Sequence, residues 1–158
     1  MKEQPKHFAA EMSFSAGRGQ IYPRHTPRAS VGSDSGVRTG EWTTAHPRSV
    51  GNFPKIIGEM VRDGTVRLNE ALRKITLQPA LTFGLTTRGR LATGVPADIV
   101  VFDPQTVSGP ADYNDLKDPR GIELVVVNRE VVAEHGKVAV RFPGKIIRNG
   151  HARSPGAM

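Results

Sequence analysis

Arg88-Gly89-Arg90-Leu91-Ala92-Thr93-Gly94-Val95-Pro96-Ala97-Asp98-Ile99-Val100-Val101-Phe102-Asp103 is the stretch around which this 158-residue chain is organised. Ile99 to Phe102 is an uninterrupted apolar run with β-branched residues, bounded by Asp98 and by Asp103-Pro104. That pattern predicts a strand covered on both faces. The residues ahead of it read as a short strand followed by a turn built on Gly94 and Pro96. By its pattern alone the stretch is a β element and nothing more.

Downstream, Gln105 to Arg120 is polar, contains Pro110, Pro119 and several Asp residues, and reads as an excursion loop. Ile122 to Val127 is a strand, Asn128-Arg129 a two-residue turn, and Glu130 to Glu134 the returning strand. Such a turn wants positive φ at both positions, which suits Asn-Gly best. Arg129 is expected to cost on the order of 1 kcal/mol there. His135-Gly136 makes the next turn and Val138-Ala139-Val140 a third strand.

Upstream, two helices are expected. In the first, Asn52 caps, Pro54 suits the first turn, and Phe53, Ile56, Ile57, Met60 and Val61 recur on one face. Asp63-Gly64 ends it. The second carries Leu68, Ala71, Leu72 and Ile75 on one face, with Arg73 and Lys74 outward, and stops before Pro79. Pro79 to Leu85 makes one more short turn ending at Gly84. Ala29 to Gly36 reads as a short strand entering a polar loop, and Val37 to Val50 as a loop. Residues 1–30 show no sustained periodicity and read as poorly ordered. Helices followed by antiparallel strands make an α+β fold. The divisions are 1–28 unassigned, 29–85 a strand, a loop and helices, 86–140 a β-portion, and 141–158 a basic tail.

Composition narrows the function. The chain is too short for a complete (β/α)8 barrel, which takes about 250 residues. It has no cysteine, so disulfides and thiolate metal sites are excluded. No apolar run approaches the roughly 18 residues of a membrane span, and no h-region follows the N-terminus. Cytoplasm is the expected compartment. The net charge is +7, with seven bases against four acids in residues 1–50, eleven of each in residues 51–140, and four bases and no acid in residues 141–158. A nucleic-acid module concentrates its bases on a folded face, whereas here the best-patterned region is neutral. A specific nucleic-acid role is therefore not expected, although basic tails attract polyanions.

The residues suited to chemistry are Ser33-Asp34, His46-Pro47-Arg48 and Asn52-Phe53-Pro54. An Asp after a short apolar strand is commonly a turn residue, and a His beside Pro commonly makes only a local hydrogen bond. Two resemblances alter that weighing. Gly89-Arg90-Leu91, Gly94, Ala97-Asp98 and the apolar run behind them resemble the C-terminal signature of the amidohydrolase superfamily. Gly32-Ser33-Asp34, His46-Pro47-Arg48, Gly51-Asn52-Phe53-Pro54-Lys55-Ile56-Ile57-Gly58, Asn69 to Thr76, Pro79-Ala80 and Phe83-Gly84-Leu85 resemble the N-acyl-D-amino-acid deacylases (D-aminoacylases) of that superfamily. The resemblance runs from about Val31 to about Arg148.

The resemblance implies a C-terminal fragment of a (β/α)8 barrel, its last strand and two helices, followed by strands of a small β-sandwich. It implies zinc-dependent hydrolysis of an N-acyl-D-amino acid. Asp34 matches the carboxylate that takes a proton from the metal-bound water and delivers it to the leaving amine. His46 and Arg48 match the following loop, on the substrate side. Ser35 and Asn52 depart from the Gly and Thr usual in the family.

The metal ligands are missing. The five histidines, His7, His25, His46, His135 and His151, include no pair spaced i, i+2 or i, i+4, whereas a catalytic zinc takes about three protein ligands. No metal or cofactor site is expected in this chain. Two functions follow as expectations. The chain completes a deacylase with a separate barrel chain, or self-associates, or it is a non-catalytic truncated remnant. A basic binding module is the weaker third.

Overall fold

The computed structural model describes residues 10–11, 29–35 and 46–147. Strand β1, Ala10–Glu11, pairs in parallel with β2, Val31–Gly32. Helices α1, Arg48–Ile57, α2, Glu59–Arg62, α3, Leu68–Ile75, and α4, Leu77–Thr82, follow. A four-stranded antiparallel sheet then runs in the order β3, Ile99–Phe102, β4, Ile122–Val127, β5, Glu130–Glu134, and β6, Lys137–Val138. The chain is an α+β fold. The readings for the loop residues 36–45, for the tail beyond 147 and for residues 1–28 apart from Ala10–Glu11 lie outside the described residues.

α1 begins earlier than expected. Pro47, with φ −51°, stands at its N-cap and starts the turn, and its carbonyl accepts the amides of Val50 and Gly51, each at 3.2 Å. Residues 48–50 are therefore helical rather than loop. Asn52 lies inside the helix, buried, and does not cap it. Gly58 separates α1 from α2 because the Val107 carbonyl occupies the space there: a Cβ on Gly58 would lie 1.8 Å from that oxygen. α4 starts at Leu77, two residues before Pro79, so Pro79 falls in the first turn, where a missing amide is tolerated.

Lys74 does not face outward. It is 1 % exposed, and its Nζ donates to the Ala29 carbonyl at 3.3 Å, which pins α3 to the chain entering β2. Arg73 is exposed as expected. The core gathers Val31, Ile56, Ile57, Val66, Ala71 and Val107. Phe102 and Ile122 pack against it from the base of the sheet.

The organising stretch departs from its reading twice. Arg88 to Val95 forms turns and bends, not a strand. Gly89 shows why: its φ is +73°, and its α-carbon sits against the end of α3, where a Cβ would come within 2.6 Å of the Thr76 carbonyl. Asp98 then clamps the signature to the hairpin, accepting from Arg88 and, at 2.7 Å, from the Asn128 amide. The second departure is that β3 is an edge strand and is not covered on both faces. Val100 is 51 % and Val101 47 % exposed. The hairpin itself is as expected, with Asn128 at φ 49° and Arg129 at φ 72°, but the last strand ends at Val138 rather than Val140.

Candidate functional site

β2 delivers Asp34 from its C-terminal end. The chain turns there through a left-handed residue, Asp34 at φ 47°, which Asp tolerates better than most side chains do. Asn52 holds this corner from inside α1, donating from Nδ2 to the Gly32 carbonyl at 3.2 Å. The Asn52 Oδ1 is buried without a partner among the described residues. Ser35, just past the corner, donates to Ser49 in the first turn of α1 at 2.7 Å.

The three residues singled out in the sequence come together. Arg48, the first residue of α1, donates from Nη2 to the Asp34 Oδ2 at 2.8 Å. The Asp34 side chain stays 57 % exposed, so a carboxylate is presented to the outside while its orientation is held. His46 turns back on the same helix start, its Nδ1 accepting the Arg48 amide at 3.2 Å. An amide can only donate, so the neutral ring carries its proton on Nε2. That nitrogen lies 2.7 Å from the Tyr113 hydroxyl, with the rings edge to face at 4.9 Å between centroids. Partial burial of the imidazole, and then the nearby Arg48 guanidinium, lower the His46 pKa. His46 is thus neutral over more of the physiological range than a free imidazole.

The site unites a carboxylate, a guanidinium, a neutral imidazole and a phenol at the mouth of one strand. Such a set can accept and return a proton and can pair with an anionic group. Sequence reasoning missed Tyr113, which sits in a polar stretch with no periodicity to mark it. It missed the role of Asn52 because Asn before Pro54 looked like a cap.

A family model described as the amidohydrolase family matches residues 28–133. The chain belongs to the amidohydrolase family. Within it, the chain is a D-aminoacylase-like segment. It is 42 % identical over 105 residues to the N-acyl-D-glutamate deacylase of Alcaligenes xylosoxydans xylosoxydans, covering 65 % of this chain and 21 % of that protein. The amidohydrolase segment also superposes on a D-aminoacylase solved to define the role of its binuclear metal center. That match has a TM-score of 0.65 and 37 % identity, over 72 % of this chain and 24 % of the other. The N-acyl-D-glutamate deacylase of Bordetella bronchiseptica, solved with zinc and a phosphonate mimic of the tetrahedral intermediate, matches with a TM-score of 0.62 and 35 % identity. It does so over 72 % of this chain and 25 % of the other. The chain spans about a fifth of the length of the curated relative it matches.

The donor set of the described residues does not fit such a metal centre by itself. Among the described residues no group of three or more His, Asp or Glu could hold an ion. His135, after β5, pairs with Glu123 of β4 at 2.8 Å, in the four-stranded sheet and not in the one that holds β2. Among the described residues no helix is long and apolar enough to cross a membrane.

Proposed function

We propose that this amidohydrolase segment supplies the general acid–base carboxylate of an N-acyl-D-amino-acid deacylase, with Asp34 as that group. On this reading β2 is the last strand of a (β/α)8 barrel, α1 to α4 are its closing helices, and β3 to β6 belong to the adjoining β-sandwich. The metal ligands come from outside the described residues, on a complementary barrel chain. The segment by itself is inactive.

The observation that carries the reading is the ion pair between Arg48 and Asp34 at the strand end, 2.8 Å long, with the carboxylate still open to solvent. A general base must reach the proton it takes and must be ionised to take it. The guanidinium holds the carboxylate in one orientation. During amide cleavage Asp34 holds a proton and passes it to the departing nitrogen, so that the amine leaves neutral. Arg48 and His46 stand on the substrate side. A bidentate guanidinium suits the carboxylate that every N-acyl amino acid carries. The substrate class, an N-acyl-D-amino acid, comes from the relatives.

The test is hydrolysis of N-acetyl-D-glutamate by the complex isolated from native cells, with zinc measured per complex. Zinc and a second polypeptide, with activity falling by about 10²–10⁴ in Asp34→Asn, would support the reading. Activity unchanged in Asp34→Asn would sink it. Absence of zinc, partner and turnover would favour a non-catalytic remnant.

A further inference from the structure

The segment joining β3 to β4 is docked along α1 as a strap. Its Val107 is fully buried. The Val107 carbonyl fills the notch at Gly58, and the backbones of Gly51 and Gly109 meet so closely that a Cβ on Gly109 would lie 2.1 Å from the Gly51 oxygen. Side chains of the helices hold the strap from beneath. The Glu59 Oε1 accepts the Gly109 amide at 3.1 Å, and the Arg62 Nη1 donates to the Val107 carbonyl at 2.8 Å and to that of Pro104 at 3.2 Å. Beyond this anchor Asp112 closes a turn, accepting the amides of Asn114 at 2.8 Å and Asp115 at 2.9 Å. Tyr113 lies within that turn, and its hydroxyl meets His46.

The contacts form a continuous line. Tyr113 Oη meets His46 Nε2 at 2.7 Å. His46 Nδ1 accepts the Arg48 amide at 3.2 Å, and Arg48 Nη2 donates to Asp34. Asp34 and Tyr113 are far apart in sequence and are brought into one constellation only because the strap is docked. We propose that Tyr113 is a positioning residue for the candidate site, acting through His46 to fix the start of α1 and with it the Arg48 hold on Asp34. The proposal rests on the preceding functional reading only for the importance of Asp34, and the geometry it asserts is tested without turnover.

The experiment is an NMR titration of the full chain, uniformly labelled with nitrogen-15 and followed at the histidine rings and the Arg48 guanidinium, comparing the natural protein with Tyr113→Phe. The variant keeps the aromatic ring and its edge-to-face contact and removes only the hydroxyl. The neutral His46 ring of the natural protein is expected to be protonated on Nε2. In Tyr113→Phe the His46 midpoint falls further, because the cation loses more with its acceptor than the neutral ring does, and the Arg48 guanidinium N–H resonances move as the contact with Asp34 loosens. The backbone amides of β4 and β5 keep their shifts and report that the sheet is intact. Glu59→Leu, which unhooks Gly109 and so loosens the strap that carries Tyr113, is expected to shift the His46 midpoint and the Arg48 resonances in the same directions. A His46 midpoint and Arg48 resonances in Tyr113→Phe identical to those of the natural protein, or no change in either in Glu59→Leu, would overturn the proposal. A deacylase assay insensitive to Asp34→Asn, alongside a shifted His46 midpoint, would remove the function assigned to Asp34 and leave the positioning role standing.

Discussion

Ile56 on α1 is 1 % exposed, whereas Val100 on β3, a side chain of similar chemistry, is 51 % exposed. The two regions present apolar residues with different periods. α1 and α3 carry a stripe on one face, and one covering layer suffices to bury it. Val31 from β2 and Val107 from the strap provide that layer. β3 and β4 are apolar at nearly every position, so the sheet needs a layer on each side. Among the described residues only its base, at Phe102 and Ile122, meets the core. Most of the helical stripe is therefore covered, although Phe53 stays 40 % exposed, while the sheet is shaped for further contacts. We propose that those contacts come from the rest of a β-sandwich.

Substitutions should separate the two regions. Ile56→Ala leaves a cavity at a fully enclosed position and is expected to cost about 2–5 kcal/mol, read as a lower denaturant midpoint. Val100→Ala is expected to cost well under half as much in the same assay. Equal losses would mean that the sheet face is covered in solution and would break the comparison.

Lys74→Met tests the helical core by pH. Burial, partly offset by Glu70, lowers the Lys74 pKa from its ordinary 10.5. The unfolded chain then binds more protons, so this residue makes stability rise as pH climbs towards 10.5. Lys74→Met should remove that rise, measured by denaturant titration at a series of alkaline pH values. A slope unchanged in the variant would contradict the burial.

In the sheet, Arg129→Gly should stabilise by about 1 kcal/mol, because φ 72° suits glycine and not a side chain. Thermal melting would register this as a rise of a few degrees. Asp34→Asn should have the smallest effect on stability, about 0–1 kcal/mol, as expected for an exposed pair. A large loss would mean that Asp34 serves the fold rather than the site.

Much of the helical region was readable, because Leu68, Ala71, Leu72 and Ile75 follow one period and Gly64 and Gly84 punctuate it. The hairpin turns were readable from Asn128-Arg129 and His135-Gly136 by chain chemistry alone. Lys74 was misread because its helical position is decided by what α3 packs on, and the Ala29 carbonyl 45 residues away carries no local mark. The strand expected before Gly94 failed for a similar reason. Gly89 is set by contact with the Thr76 carbonyl, a tertiary constraint. For the candidate site, Asp34, His46 and Arg48 were singled out through the family they resemble, and the structure brings them together. Tyr113 was not, since only the docked strap brings it near.

The notches at Gly51 and Gly58 carry a consequence for synthesis. Their covers, Gly109 and Val107, leave the ribosome about fifty residues later. At about 5–20 residues per second, α1 waits several seconds with its backbone face open. Through that interval the nascent helices depend on whatever shields them from other chains.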